Sequence, residues 1–126
     1  MTVNILILNY NGREILEECL PSVVLAAGFS KYPCKVTVID NKSNDGSVGY
    51  LKKQFPAVNI IVSEENKVLC SYNPVFSKIN DDLVVLLNND IKVEKDFLGP
   101  LIEMFEKNND AFMVGPKCLD FSKIRY

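Results

Sequence analysis

A chain of 126 residues with 48% hydrophobic and 24% charged residues suits one globular domain around a single core, with little room for two substrate domains. Its formal net charge of -2 leaves no basic surplus to draw in a nucleic acid backbone, so no nucleic acid partner is expected. Histidine is absent, which removes the commonest general base and metal ligand and leaves carboxylates, amides, hydroxyls and thiols for any chemistry.

The first apolar run, residues 3 to 8, is interrupted only by Asn4 and predicts a strand. In the following "GREILEECLPSVVLAA", Ile15, Leu16, Cys19, Leu20, Val23 and Val24 recur at helical spacing. Asn11 and Glu14 are spaced as a capping box, and Pro21 is expected to bend or split this helix. "KVTVID" is a β-branched second strand. The turn-rich "NKSNDGS" then leads to a helix carrying Val48, Leu51 and Phe55, with Ser47 as its expected N-cap and Pro56 as its stop. "VNIIV", residues 58 to 62, predicts a third strand, and residues 71 to 79 a short helix with Pro74 in its first turns. Residues 83 to 87 predict a fourth strand. Phe97, Leu98, Leu101, Ile102 and Phe105 mark an amphipathic helix starting near Asp96, and residues 111 to 114 read as a last short strand before Gly115-Pro116. No repeat, low-complexity tract or linker divides the chain, so residues 1–126 read as one domain.

The cysteines at 19, 34, 70 and 118 are widely spaced and form no C-x-x-C pair, which predicts free thiols in a reducing compartment. "MTVNILILNYNG" has no basic leader, its apolar stretch ends at Asn9, and no later stretch approaches a spanning length. A cytoplasmic chain is expected on this pattern, with membrane association left open for a longer parent protein.

Strands that are apolar on both faces and joined by helices predict an α/β fold, a mostly parallel sheet with helices on both faces. Three of the predicted strands end alike: in Asn9-Tyr10-Asn11, in Asp40-Asn41 and in Asn88-Asn89-Asp90. In a parallel sheet these ends share one edge, and open α/β folds bind ligands outside that edge. Asp40, Asp45 and Asp90 with several carboxamides suit a hard divalent cation, magnesium or manganese, and not zinc or copper. Such an ion shares its sphere with substrate phosphates, which points to a metal-bridged nucleotide. The plainer alternative is that Asn and Asp close turns and cap helices here. The glycine-rich phosphate loops G-x-x-x-x-G-K-[ST] and G-x-G-x-x-G are missing, which disfavours P-loop NTPases and classical dehydrogenases.

"NILILNYNG" before a helix, "VIDNKSNDGS" after the second strand, "NKVLCSYN" and "LLNNDIKV" together resemble the N-terminal half of family 2 glycosyltransferases. These enzymes have the glycosyltransferase A fold, of which this chain would be the Rossmann-like, donor-binding half. The likeness covers about residues 2 to 117 and is nearest to the rhamnosyltransferase-like subset, whose aspartate motif reads L-N-x-D.

The resemblance implies that Tyr10, between Asn9 and Asn11, lies against the nucleotide base and that Asp40, followed by Asn41, accepts a hydrogen bond from it. A carboxylate that accepts but does not donate matches the imide N–H of uracil or thymine. Asp90 would ligate the divalent ion with Asn88 beside it, and Asn66 and Asn73 would lie near the donor. Lys67 stands either as a phosphate partner or as a solvated loop lysine.

The implied activity is inverting transfer of a sugar from a UDP- or dTDP-sugar donor to a glycan or lipid-linked acceptor. Two departures bear on it: Val68 and Leu69 occupy positions where the family pattern has glycine and phenylalanine, and Asn88 replaces the first acid of the metal motif. Asp120 does not sit in a recognisable form of the family's catalytic-base motif, so this chain alone is expected to be inactive. The alternatives are a non-catalytic α/β regulatory or interaction module with a magnesium-binding acidic edge, and a nucleotidyltransferase. Self-association through an exposed sheet edge is a further expectation.

Overall fold

The computed structural model describes residues 1–120. Four strands, β1 (Val3–Asn9), β2 (Cys34–Asp40), β3 (Asn59–Val62) and β4 (Leu83–Asn88), form one sheet in the order β3-β2-β1-β4 with every pair parallel. The helices are α1 (Arg13–Phe29), α2 (Ser47–Gln54), α3 (Asn73–Phe76) and α4 (Leu98–Lys107), with a 3-10 turn over Val68–Tyr72 leading into α3. The expected α/β architecture is thus present. No helix among the described residues is long and apolar enough to cross a membrane.

Strand alternation sorts the sheet into two unlike faces. Val3, Ile5 and Ile7 of β1 and Val36 and Val38 of β2 point to one side, where Leu16, Leu20 and Val23 of α1, Leu51 of α2 and Leu98 and Ile102 of α4 close a buried core over them. The alternate residues Leu6 and Ile39 point to the other side and meet Tyr72 and Val75, with Leu8 and Ile79 at the margin. Among the described residues, the 3-10 turn and the single turn of α3 alone contribute buried cover on that second face. On edge strand β4 the same alternation leaves Val84 and Leu86 exposed.

Helix α1 runs unbroken through Pro21. Its buried residues Leu16, Cys19, Leu20 and Val23 lie on both sides of the proline, so packing on the sheet outweighs a backbone cost of about 3 kcal/mol. The expected caps are also replaced. Gly12 caps α1 without a side-chain bond, because Asn11 Oδ1 instead accepts the backbone N–H of Asn44 at 2.8 Å. Ser47 is the first residue of α2 and not its cap; it follows Gly46, whose φ of 82° a side chain would resist. The helix expected over residues 71 to 79 is shorter, since Pro74 carries no N–H to continue a ladder and begins a new turn instead.

The strand expected over residues 111 to 114 does not form. Ala111 N–H closes a turn onto the Asn108 carbonyl at 3.0 Å, and Phe112 and Met113 project into solvent. An apolar run becomes a strand only with a neighbour to pair with, and this one does not join the four-stranded sheet. The four cysteines are free thiols, as expected.

Candidate functional site

The parallel register sets Asn9 beside Asp40 and Leu8 beside Asn88, so the three polar strand ends do share one edge. They do not all face the same way. Asn9 and Asp40 continue the helix-covered face and are both fully buried, whereas Asn88 continues the second face and is exposed.

Asn9 is the centre of the buried group. Its Nδ2 donates to Asp40 Oδ1 at 3.0 Å, and its Oδ1 accepts from Asn89 Nδ2 at 3.0 Å, so one side chain joins the ends of β1, β2 and β4. Asp40 also accepts from the Ser43 hydroxyl at 2.7 Å and the Ser43 backbone N–H at 2.9 Å. Ser43 Oγ in turn accepts the Asn11 N–H at 2.8 Å, and the backbone N–H of Asn41 donates to the Asn9 carbonyl at 2.8 Å. The expected contact from Asp40 to a base therefore meets a carboxylate with no exposed surface whose three bonds all run inside the protein. Asp40 and Asn9 shape the site from behind.

Asp45 ties the next turn of this loop to both helices. It accepts the backbone N–H of Arg13 at 2.9 Å and that of Ser47 at 3.0 Å, and the Ser47 hydroxyl as well. Burial alone would raise its pKa. The bonds from Ser47 and Arg13 outweigh burial and hold it below the ordinary value of 3.8.

On the other side of the edge lie the residues free to meet a ligand. Tyr10 is 54% exposed and presents a ring face at the end of β1. Asn66 and Asn73 are exposed, and Asn66 Oδ1 accepts the Val68 N–H at 3.0 Å. Asn41 is buried between the two groups: its Nδ2 donates to the Val68 carbonyl at 3.3 Å, and its Oδ1 has no hydrogen-bond partner among the described residues. Asn11, Lys42 and Val68 all take left-handed φ values, of 48°, 60° and 51°, so the loops after β1, β2 and β3 each turn sharply at this edge.

Asp90 is exposed just past β4. Its loop is fastened to α1 by the Lys92 ammonium on Glu18 at 2.7 Å and by the Val93 N–H donated to Ser22 Oγ at 3.1 Å. The described residues contain no group of three or more Cys, Asp or Glu side chains placed to hold a metal ion. One exposed carboxylate with the Asn88 carboxamide nearby in sequence fits a hard cation that takes most of its oxygens from phosphate and water.

An open cavity of about 530 Å³ lies elsewhere, beside the first turn of α1, lined by Asn11, Arg13, Glu14, Glu17 and Asp45 among others. Three carboxylates face one guanidinium there, and Arg13 is already engaged by Glu17 at 3.2 Å. That balance suits neither a diphosphate nor a metal-bound nucleotide.

Residues 4–121 match the family described as Glycosyl transferase family 2. The chain belongs to that family. Solved structures of similar fold include S. aureus TarS 1-349, at 18% identity and a TM-score of 0.70, covering 95% of this chain and 40% of that one. The same protein in complex with UDP-GlcNAc matches at 19% identity and a TM-score of 0.69, covering 95% and 38%. The mannosyltransferase PcManGT from Pyrobaculum calidifontis, in complex with GDP-Man and Mn2+, matches at 20% identity and a TM-score of 0.66, covering 90% and 33%. This family 2 chain thus spans about 40% of the TarS 1-349 chain or less. No curated protein sequence matches it significantly. Membership in this family speaks against a nucleotidyltransferase and against a regulatory module of another family.

Sequence reasoning did not anticipate Gly12 and Ser43 as parts of the site, and it gave Asn89 no role beyond its place in the Asn88-Asn89-Asp90 strand end. The signal was present in "NYNG", because a Cβ on Gly12 would lie within 2.5 Å of Asn9 Oδ1 and closer still to Asn89 Nδ2. Gly12→Ala must break the Asn9–Asn89 bond or shift α1, and should cost about 1–3 kcal/mol in a urea unfolding midpoint. A second outcome concerns acid. Because the Asp45 pKa is depressed in the folded state, its stabilisation is present above 3.8 and is lost as pH falls through the lower folded value. Asp45→Asn should therefore flatten the acid limb of a thermal-stability profile below about pH 4.

Proposed function

We propose that this family 2 chain binds the nucleotide-sugar donor of a divalent-metal-dependent, inverting glycosyltransferase. The observation that carries this reading is the convergence of the β1, β2 and β4 ends on one edge, where buried Asn9 and Asp40 hold the loops and Tyr10, Asn41, Asn66 and Asn88 are left toward the second face. Tyr10 would offer its ring to the base, Asn66 and Asn73 would border the donor, and Asp90 with Asn88 would hold magnesium or manganese. That ion, when bound, neutralises the diphosphate and stabilises it as leaving group. The Asn88 carboxamide in place of an acid lowers the charge offered to the cation, so cation and nucleotide should bind together and not separately.

The donor is a uridine or thymidine diphosphate sugar, with a hexose or deoxyhexose as in the rhamnosyltransferase-like subset, and the acceptor is a glycan or lipid-linked glycan. Support for a donor site comes from the structural neighbours that hold UDP-GlcNAc and GDP-Man. Thermal-shift titration with UDP, dTDP, GDP and ADP, each with manganese or with EDTA, tests the reading. Millimolar UDP or dTDP should raise the melting temperature only with manganese, because ligand binding to the folded state stabilises it by mass action. Asp90→Ala should remove the manganese dependence, and an unchanged manganese-dependent shift in that variant would overturn the metal assignment.

Self-association belongs to the same reading. Val84 and Leu86 stand exposed on β4, whose outer edge pairs with no other strand among the described residues. Sedimentation at rising concentration should show dimers or larger species in the unaltered chain and fewer in Leu86→Lys. A clean monomer throughout would sink the idea.

A further inference from the structure

Asn89 stands between Asn88 and Asp90, the pair that would hold the cation, yet its side chain turns the other way. Asn88 ends β4 and is exposed on the second face, and Asp90 is exposed just past it. Asn89 is half-buried, and its Nδ2 donates to Asn9 Oδ1 at 3.0 Å. The β4 ladder ends with Asn88 beside Leu8, and the Lys92 ammonium on Glu18 fastens the chain again only after Asp90. Between those two points, among the described residues, the Asn89 carboxamide is the side chain that ties the turn to the sheet.

The direction of this bond is set from β2. Asp40 is a fully buried carboxylate that accepts from Asn9 and from Ser43, so the end of the Asn9 amide that faces it must be Nδ2. Asn9 Oδ1 is then left toward β4, where it takes a donor. Turning the Asn9 amide over would set its oxygen against Asp40 and its hydrogens against those of Asn89. Gly12 closes the space from the α1 side, since a Cβ there would lie 2.5 Å from Asn9 Oδ1. The Asn89 side chain thus has one direction in which to bond and little room to take another.

We propose that Asn89 is a positioning residue of the cation site: anchored through Asn9 to Asp40, it keeps Asn88 and Asp90 at a fixed spacing and so discriminates between cations. An exposed carboxylate on an unbraced turn would adapt to large and small ions alike. On a braced turn it favours magnesium, which is small and demands regular octahedral geometry, over calcium, which accepts varied geometry and longer bonds. The inference rests on the donor-site reading above and concerns the choice of cation within it, not the nucleotide.

Calorimetric titration with UDP, once in excess magnesium and once in excess calcium, tests the role. The wild type should bind UDP about tenfold more tightly with magnesium than with calcium, and Asn89→Leu should bring that ratio toward one by weakening the magnesium arm. A purely structural role would weaken both arms alike and leave the ratio unchanged. Urea unfolding establishes that the variant is folded, and if Asn89→Leu does not fold, Asn89→Ala reads the same bond at this half-buried position. Equal affinity of the wild type in the two cations, or a ratio that persists in the Asn89 variant, would overturn the positioning role while leaving the donor site standing. Absence of binding by UDP, dTDP and GDP to the wild type with either cation would overturn the donor-site reading and this inference together.

Discussion

The arrangement of the whole edge depends on one buried carboxamide. Asn9 ends β1, the strand that pairs with both β2 and β4, and its two polar atoms reach the neighbours on either side. A carboxamide is suited to this because it donates from one end and accepts at the other, so it joins a carboxylate to a second amide without leaving either unpaired. Aspartate at position 9 would set two carboxylates against each other, and leucine would take one bond from Asp40 and the bond from Asn89. Glycine at position 12 is part of the same arrangement, since it leaves room for Asn89 to reach across the start of α1.

From that joint follows a division of labour across the sheet. On the helix-covered face, polar groups at the strand ends are consumed in holding loops: Asp40 by Ser43, Ser43 by Asn11, Asp45 by α1 and α2. On the second face, among the described residues, a 3-10 turn and one turn of helix alone supply buried cover, and Tyr10 and Asn88 at its edge are exposed. The uneven cover leaves the strand ends braced by hydrogen bonds on one face and open on the other.

Much of this was legible in the sequence because the dominant signals were local. The four strands, α1, α2 and α4 announced themselves through apolar runs and helical spacing, and the shared edge followed from parallel topology. What was not legible depended on partners distant in the chain. The bond from Asn9 to Asp40 joins residues 31 apart in the chain, and no local signal announces it. The apolar run at 111 to 114 has a strand's composition but no paired neighbour, and Pro21 has a helix breaker's chemistry but sits in a helix held down by core packing. Local propensity is a prior that tertiary contacts override.

The family pattern and the physical reading disagree most usefully at Val68. A glycine there would make the turn without strain, and the backbone conformation needed is the one glycine prefers. Valine keeps the conformation and adds a side chain that is exposed, so it gains little burial in return for the strain. Its carbonyl nevertheless fixes which end of the Asn41 amide is presented. A residue that is costly to the fold and poorly packed is held here by its bonds to Asn41 and Asn66 and not by burial.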